Sequence, residues 1–332
     1  MNYIGSKLKL CQDFLPKTIK GVCGDDLSAM IFCDIFAGTG IVGRTFKTSV
    51  KKVISNDIEY YSYVLNKNYI ENHLEIAAKA DLLKELNSLP LLENGFIYQN
   101  YCLGGNGERQ YFSDENGKKI DTMRTKIEEW KAENKISDNQ YYFLLCSLLE
   151  CADKVANTAS VYGAYLKKLK ASAQKTLVLE AAEYELNKNE HKVYNKDSNV
   201  LIKEIEGDIL YLDPPYNARQ YGANYHLLNT IAEYKTFLPK GKTGLREYAR
   251  SKYCSAVTVK EQFEELIKNA KFKYIFLSYN NEGLMSVDDV KKIMTKYGRY
   301  DLAQTDYQRF KADSNRFNKA DSTVEYLHIL EK

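Results

Sequence analysis

Apolar positions follow two rhythms along this chain. In the first and last thirds they come as short runs closed by turn residues, the pattern of strands buried in a sheet. Met30-Ile31-Phe32-Cys33-Asp34-Ile35-Phe36 is one such run, and Lys52-Val53-Ile54-Ser55-Asn56 is another. Asp208-Ile209-Leu210-Tyr211-Leu212 is a third, and Ile275 to Asn281 and Asp321 to Leu327 read the same way. Between about Asn94 and Glu190 the spacing turns helical. Asp121 to Ala132 and Asn139 to Ala152 place Ile127, Trp130, Tyr142, Leu145, Leu148 and Leu149 at helical intervals, which marks a helix core. Gly104 to Phe112 reads as a glycine-rich polar loop, and Leu227 to Tyr234 as a further helix. The pattern predicts an α/β protein with a mainly helical insert. Its expected parts are residues 1–93, an insert over 94–190, and 191–332, which completes the α/β domain.

Two loops carry the chemistry. The first strand runs into Ala37-Gly38-Thr39-Gly40-Ile41-Val42-Gly43, where glycines let the backbone turn tightly and approach a ligand before a helix begins. The next strand ends in Asp57, placed to accept hydrogen bonds from a ribose diol. Together they describe an adenosine-binding half of a doubly wound sheet. Gly38, Gly40 and Gly43 also spell the dinucleotide fingerprint, so an NAD-type reading is a rival, although nothing downstream resembles a hydride-transfer site.

The second loop is Asp213-Pro214-Pro215-Tyr216, at the carboxyl end of the third strand, where ligands bind in an open α/β sheet. It suits alkylation of an exocyclic amine, whose lone pair is delocalised into its ring. Acceptors that take both N–H bonds draw the nitrogen toward a reactive, pyramidal geometry. Asp213 supplies one acceptor and the Pro214 carbonyl the other. Pro214 and Pro215 stiffen the loop, and Tyr216 offers a flat face for a base. An ordinary proline-rich turn is the plain alternative.

These segments, in this order, resemble the adenine-specific DNA methyltransferases with cofactor motifs first, recognition insert second and catalytic loop last. The resemblance covers essentially the whole chain. It implies a Rossmann-like S-adenosylmethionine-dependent methyltransferase sheet, with S-adenosyl-L-methionine as cofactor and double-stranded DNA as substrate. Tyr3-Ile4-Gly5-Ser6-Lys7 resembles the amino-terminal motif, so Tyr3 would flank the cofactor and Lys7 would meet its carboxylate. Asp34, Phe36, Ala37, Gly38, Thr39 and Gly40 resemble the loop around the methionine part. Asp57, with Ile58 beside it, would hold the ribose, and Asp197 the adenine ring. Asp213 would touch both cofactor and target. The family often works in restriction-modification systems; no nuclease motif is evident here, so a cognate endonuclease would be a separate polypeptide.

Composition adds bounds. A chain of 332 residues can bury one large α/β core and a smaller domain. The absence of a long apolar run or signal-peptide pattern suggests a cytoplasmic protein without membrane contact. Seven cysteines without paired short spacing read as reduced thiols. His73, His191, His226 and His328 are scattered, so no metal is expected; His226 alone draws notice, by following the catalytic loop.

A net charge of +3 is too small to announce nucleic acid, so the clusters matter. Lys167, Lys168, Lys170 and Lys175 form one; Lys242, Arg246, Arg250 and Lys252 form another, among Tyr248 and Tyr253. Phosphate contact and a solvated face are the two readings. Arg109, Gln110, Arg124 and Asn157 are candidate base readers, and Arg219 and Gln220 candidates for a role in base flipping. Three rivals stand beside the DNA reading: an RNA base-amine methyltransferase, a cytosine-amine methyltransferase (which usually carries serine in place of Asp213), and a catalytically silent nucleic-acid-binding module.

Overall fold

In the computed structural model, which describes residues 6–308 and 322–332, the apolar runs become strands of one seven-stranded sheet. The strands are β1 (Ile31–Asp34), β2 (Lys52–Asn56), β3 (Lys192–Tyr194), β4 (Glu206–Leu212), β5 (Lys271–Asn280), β6 (Arg299–Gln308) and β7 (Ser322–Glu331). Their order is β3-β2-β1-β4-β5-β7-β6. The first five in that row are parallel, and β7 pairs antiparallel with both β5 and β6. The chain winds outward from β1 through β2 to β3, then returns to lay β4 on the other side of β1. That reversal makes the carboxyl ends of β1 and β4 a topological switch point, where ligands bind in such sheets. Register sets Asp34 opposite Tyr211 there.

The parallel strands are apolar on both faces because both are covered. Phe32 stacks on Phe46 at 4.5 Å on one side. On the other, Ile275 and Leu277 share a core with Val259, Phe263, Leu266 and Ile267 of the helix Val259–Asn269. Those four helical positions recur at the spacing of one buried face. Each such side chain contributes about 1.5–3 kcal/mol by leaving water.

The chain divides into two compact units. The sheet unit contains the described residues before Lys67, then Asn187–Gln220, then Arg250 onward. The helical unit contains Lys67–Leu186 and Tyr221–Ala249. This differs from the expected 94–190 insert at both ends. The change of rhythm comes early, at a single π-helical turn, Lys67–Glu71. The helix His226–Glu233 joins the helical unit because Arg124 reaches it. The Arg124 guanidinium donates to the Ile231 and Ala232 carbonyls, each at 3.0 Å, and so satisfies that helix's last free acceptors.

The two expected helices run over Asp114–Ala132 and Asp138–Val155. Ser113 caps the first, and Ser137 with Gln140 forms a reciprocal capping box on the second. Trp130 is buried, as its spacing implied. The segment read as a polar loop is partly core. Tyr111 and Phe112 are fully buried, and the Tyr111 hydroxyl donates to the Tyr162 carbonyl at 2.7 Å. Two strands had no clear sequence signal: β3 is three residues long, and β6 has no fully buried side chain over residues 299–306.

No helix among the described residues is long and apolar enough to cross a membrane.

Candidate active site

The site grows from the loop after β1. Gly38 and Gly40 sit at φ of +51° and +77°, the left-handed region that glycine enters without penalty. The Gly38 amide donates to Asp57 Oδ2 at 2.8 Å, and the Glu59 amide to Asp57 Oδ1 at 2.9 Å. The Gly38 carbonyl accepts from the Ser62 hydroxyl and from Asn66 Nδ2. The loop is therefore pinned at both the amide and the carbonyl of Gly38. Burial pushes the Asp57 carboxyl above its ordinary range. Ile58, next in sequence, is 43% exposed, a large apolar side chain turned to solvent beside that acid.

Asp34 is the anomaly. It ends β1 in full burial, and among the described residues neither carboxylate oxygen has a hydrogen-bond partner. Burial first, then the charges of Asp213 and Asp57, raise its pKa well above the usual range; the nearby Gly43 and Phe36 amides offset only part of this. A buried, unsatisfied acid costs stability unless something donates to it. The Phe36 ring meets Tyr253 edge-on at 5.1 Å.

Beyond β2, Asn195 Nδ2 donates to the Asp57 and Ile58 carbonyls and fixes the acid's backbone. Asp197 caps the short helix Ser198–Leu201, with Oδ1 accepting from the Asn199 and Val200 amides. Its other oxygen lies at an exposed residue.

At the end of β4 stands Asp213. Its side chain is 20% exposed, and Oδ1 lies 3.3 Å from Lys7 Nζ. Burial raises its pKa to about 6, with Lys7 pulling down and Glu325 pushing up. Lys7 is buried and also meets Glu325 Oε1 at 2.7 Å. Burial alone would lower the Lys7 pKa; Asp213 and then Glu325 more than offset it and hold it well above the ordinary value. The Tyr216 ring lies edge-on to Tyr279 at 6.5 Å, with Lys7 Nζ 6.0 Å from its centroid. The Leu284 amide fixes the Tyr216 carbonyl at 3.0 Å.

The structure thus brings Lys7, Asp34, Phe36 to Gly40, Asp57 and Asp213 to Tyr216 into the one sheet unit, around the switch point. Tyr3 lies outside the described residues. Lys7, expected to meet the cofactor's carboxylate, has its ammonium 2.7 Å from Glu325 and 3.3 Å from Asp213. Glu325 and Ser278 were not among the expected site residues: the sequence placed them only in strand-like runs, Glu325 as a lone acid inside one.

The candidate base readers fare worse. Arg124 is 2% exposed and spends its guanidinium on two carbonyls and Glu128. Asn157 is fully buried, donating to the Gln110 and Leu166 carbonyls and accepting from the Lys170 amide. Arg109 donates to the Asn100, Gly241 and Lys242 carbonyls. Gln220 exchanges two bonds with the Ser251 backbone, Arg246 pairs with Glu233, and Lys170 holds the Thr158 carbonyl. All six serve the fold, because side chains that read base edges are equally good at tying loops to backbone. Gln110 is half-buried. Lys167, Lys168, Arg219 and Arg250 remain exposed. His226 is fully buried. Its Nε2 faces the Tyr162 carbonyl at 3.0 Å, and burial lowers its pKa to about 4, so its place is in the core.

Residues 3–294 match the D12 class N6 adenine-specific DNA methyltransferase family. Type II methyltransferase M.NlaIII of Neisseria lactamica is 66% identical across 100% of this chain and 99% of its own. Type II methyltransferase M.CviAII of Paramecium bursaria Chlorella virus 1 is 37% identical, covering 94% and 93%. Type II methyltransferase M.FokI of Planomicrobium okeanokoites is 39% identical over 100% of this chain, which spans 53% of that protein. A family match of this extent, on a sheet whose switch point carries the glycine loop and the Asp-Pro-Pro-Tyr turn, shows that the chain belongs to the D12 class of S-adenosylmethionine-dependent, N6 adenine-specific DNA methyltransferases.

Proposed function

We propose that Asp213 is the acceptor that activates the target adenine, and that transfer to its 6-amino group is direct. The observation that supports this most is the state of Asp213 itself. It is a partly exposed carboxylate at the end of β4, braced by Lys7, with a pKa near 6. It is ionised at neutral pH and still basic enough to take a proton.

The residues at the switch point fit S-adenosylmethionine. Asp34 has two unsatisfied oxygens for an ammonium, and Gly40 keeps the loop free of side-chain bulk. Asp57 would hold the ribose hydroxyls, and Asp197, through its remaining acceptor, the adenine amine. Phe36 and Ile58 would cover the ring and sugar. When bound, the cofactor supplies a methyl group made electrophilic by a positively charged sulfur.

Asp213 and the Pro214 carbonyl accept the two N–H bonds of the target amine. That draws its lone pair out of the ring and aims it. The Tyr216 ring, fixed by Tyr279 and by the Leu284 amide, supports the base by stacking. As the amine nitrogen takes the methyl group, the methyl–sulfur bond would break with its electron pair left on sulfur as a neutral thioether, and the nitrogen's surplus proton would pass to Asp213. Positioning and preorganised acceptors account for the acceleration, and no covalent enzyme intermediate is needed. The adenine must leave the duplex to reach Asp213, at a cost of about a few kcal/mol. The exposed Lys167, Lys168, Arg219 and Arg250, with Lys175, Lys242 and Lys252 of the same clusters, are candidates to hold DNA phosphates.

We further infer, from the type II relatives, that the enzyme modifies one short duplex sequence and is matched by a separate endonuclease.

The test is methyl transfer from labelled S-adenosylmethionine to unmethylated genomic DNA, with bulk RNA alongside and the modified base identified by mass spectrometry. Methyladenine in DNA at one sequence, lost in Asp213→Ala while cofactor binding persists, supports the reading. Label in RNA, or an active Asp213→Ala, overturns it.

A further inference from the structure

We propose that Glu325 is a positioning residue for the reaction: by holding the Lys7 ammonium to itself, it leaves Asp213 free to accept from the target amine. This rests on Asp213 being the amine's acceptor. Glu325 is 3% exposed in β7, between Val324 and Tyr326, where a carboxylate needs a compensating partner. Register explains how it finds one. Glu325 pairs with Asn280 of β5, and Ser278, two residues back on the same face, donates to Glu325 Oε1 at 2.6 Å. The same oxygen takes Lys7 Nζ at 2.7 Å.

The ammonium is shared unequally, 2.7 Å from Glu325 and 3.3 Å from Asp213. Lys7 is thus anchored on the carboxylate that has no exit to solvent and merely touches the one that has. Without the Glu325 charge, the ammonium would close on Asp213 as a full charge-assisted hydrogen bond. It would then occupy a lone pair that the amine requires and drain the basicity that receives its proton. Among the described residues, the other ionisable groups facing this cluster are Tyr211 of β4, Asp34 of β1, Tyr216 of the catalytic turn and Cys11 of the helix Leu8–Cys11. None of them carries a positive charge, so Lys7 is the cation that Glu325 and Asp213 divide among these groups.

The experiment compares wild type, Glu325→Gln, Glu325→Asp and Asp213→Ala in single-turnover methyl transfer across pH 5–9. Cofactor affinity and melting temperature are measured on the same samples. Glu325→Gln keeps the shape and removes the charge. We expect kcat to fall on the order of 10- to 100-fold, as for a reacting group misplaced by a fraction of an ångström. We also expect the acid limb of the pH profile to move to lower pH, because Lys7 then stabilises ionised Asp213 more strongly. Cofactor affinity and the KM for DNA should hold, and Glu325→Asp should recover part of the rate. A purely structural role would lower stability without moving the acid limb. Wild-type kcat with an unmoved limb in Glu325→Gln, beside a dead Asp213→Ala, overturns this proposal alone. An active Asp213→Ala overturns the reading beneath it. Should Glu325→Gln fail to fold, Glu325→Asp decides: it keeps the charge but shortens its reach to Lys7, and wild-type kcat with an unmoved acid limb there overturns the proposal.

Discussion

A Cβ built on Gly40 would stand 2.7 Å from Asn66 Oδ1. Asn66 cannot retreat cheaply, because that oxygen accepts from Ser55 at 2.7 Å while Nδ2 holds the Gly38 and Ser62 carbonyls. Gly40 is also left-handed, so a side chain there meets strain and collision together. Gly40→Ala should cost about 1–3 kcal/mol locally. It should weaken S-adenosylmethionine binding by at least tenfold, in line with that cost. Calorimetric titration with the cofactor checks this, and Gly21→Ala, with nothing within 4 Å of its Cβ, is the control for helix effects.

Asp34 opposes stability to function. Among the described residues its buried oxygens have no hydrogen-bond partner, and the nearby Gly43 and Phe36 amides offset only part of the burial, so the free protein bears a cost that a bound cation would relieve. A carboxyl whose folded pKa is raised binds its proton more tightly in the folded state. Its contribution favours folding at low pH and is lost as pH rises through the folded value. Asp34→Asn should therefore melt at a higher temperature than wild type, by about 1–3 kcal/mol in stability. The gain should grow as pH rises above the ordinary carboxylate range. The same variant should lose most of its cofactor affinity. A variant that melts lower at every pH would mean that an unseen donor already satisfies Asp34.

The acid limb of activity should report Asp213. Burial places its pKa at about 6. A protonated Asp213 cannot accept from the amine with both oxygens, so kcat should fall as pH drops through about 6 and level off above. His226 and His328, both lowered to about 4 by burial, lie too low to supply that limb. A solvent pH series on a saturating duplex substrate tests this, and a limb near 4 would instead mean an unperturbed carboxylate.

The parts of this fold that were legible in the sequence share one property: local composition carries them. β1, β2 and β4 are apolar runs stopped by glycine, asparagine or proline, and the ligand loops follow from the stops. β6 was not legible, because an edge strand whose side chains stay at the surface needs no apolar alternation. The helix His226–Glu233 falls in a different unit from the expected one, because its partners, Arg124 and the Tyr162 carbonyl, lie 107 and 64 residues away in sequence. Asp213 and Asp57 could be nominated because their neighbours in sequence suggest a chemistry for them. Glu325 was missed for the converse reason. Its partners are Ser278, which the antiparallel register of β5 and β7 brings to it, and Lys7, 318 residues away in sequence.

Arginine 124 and the lysine pair Lys167 and Lys168 should separate folding from DNA binding. Arg124 is buried between two carbonyls and Glu128, so Arg124→Ala strands acceptors and leaves a helix end uncapped. Losing one partner of a buried charge network costs about 3–5 kcal/mol, and Arg124's exposed partner Glu128 places this case toward the lower end. The variant should melt early, yet its folded fraction should keep wild-type sequence preference. Lys167→Ala with Lys168→Ala should do the reverse. Both side chains are exposed, so the melting temperature should barely move. If each meets a phosphate, the slope of log affinity against log salt should shrink by about 0.9 per contact. Duplex binding measured from low to moderate salt gives that slope directly. An unchanged slope would return this lysine run to the status of a solvated face, and leave Arg219 and Arg250 as the cations to test next.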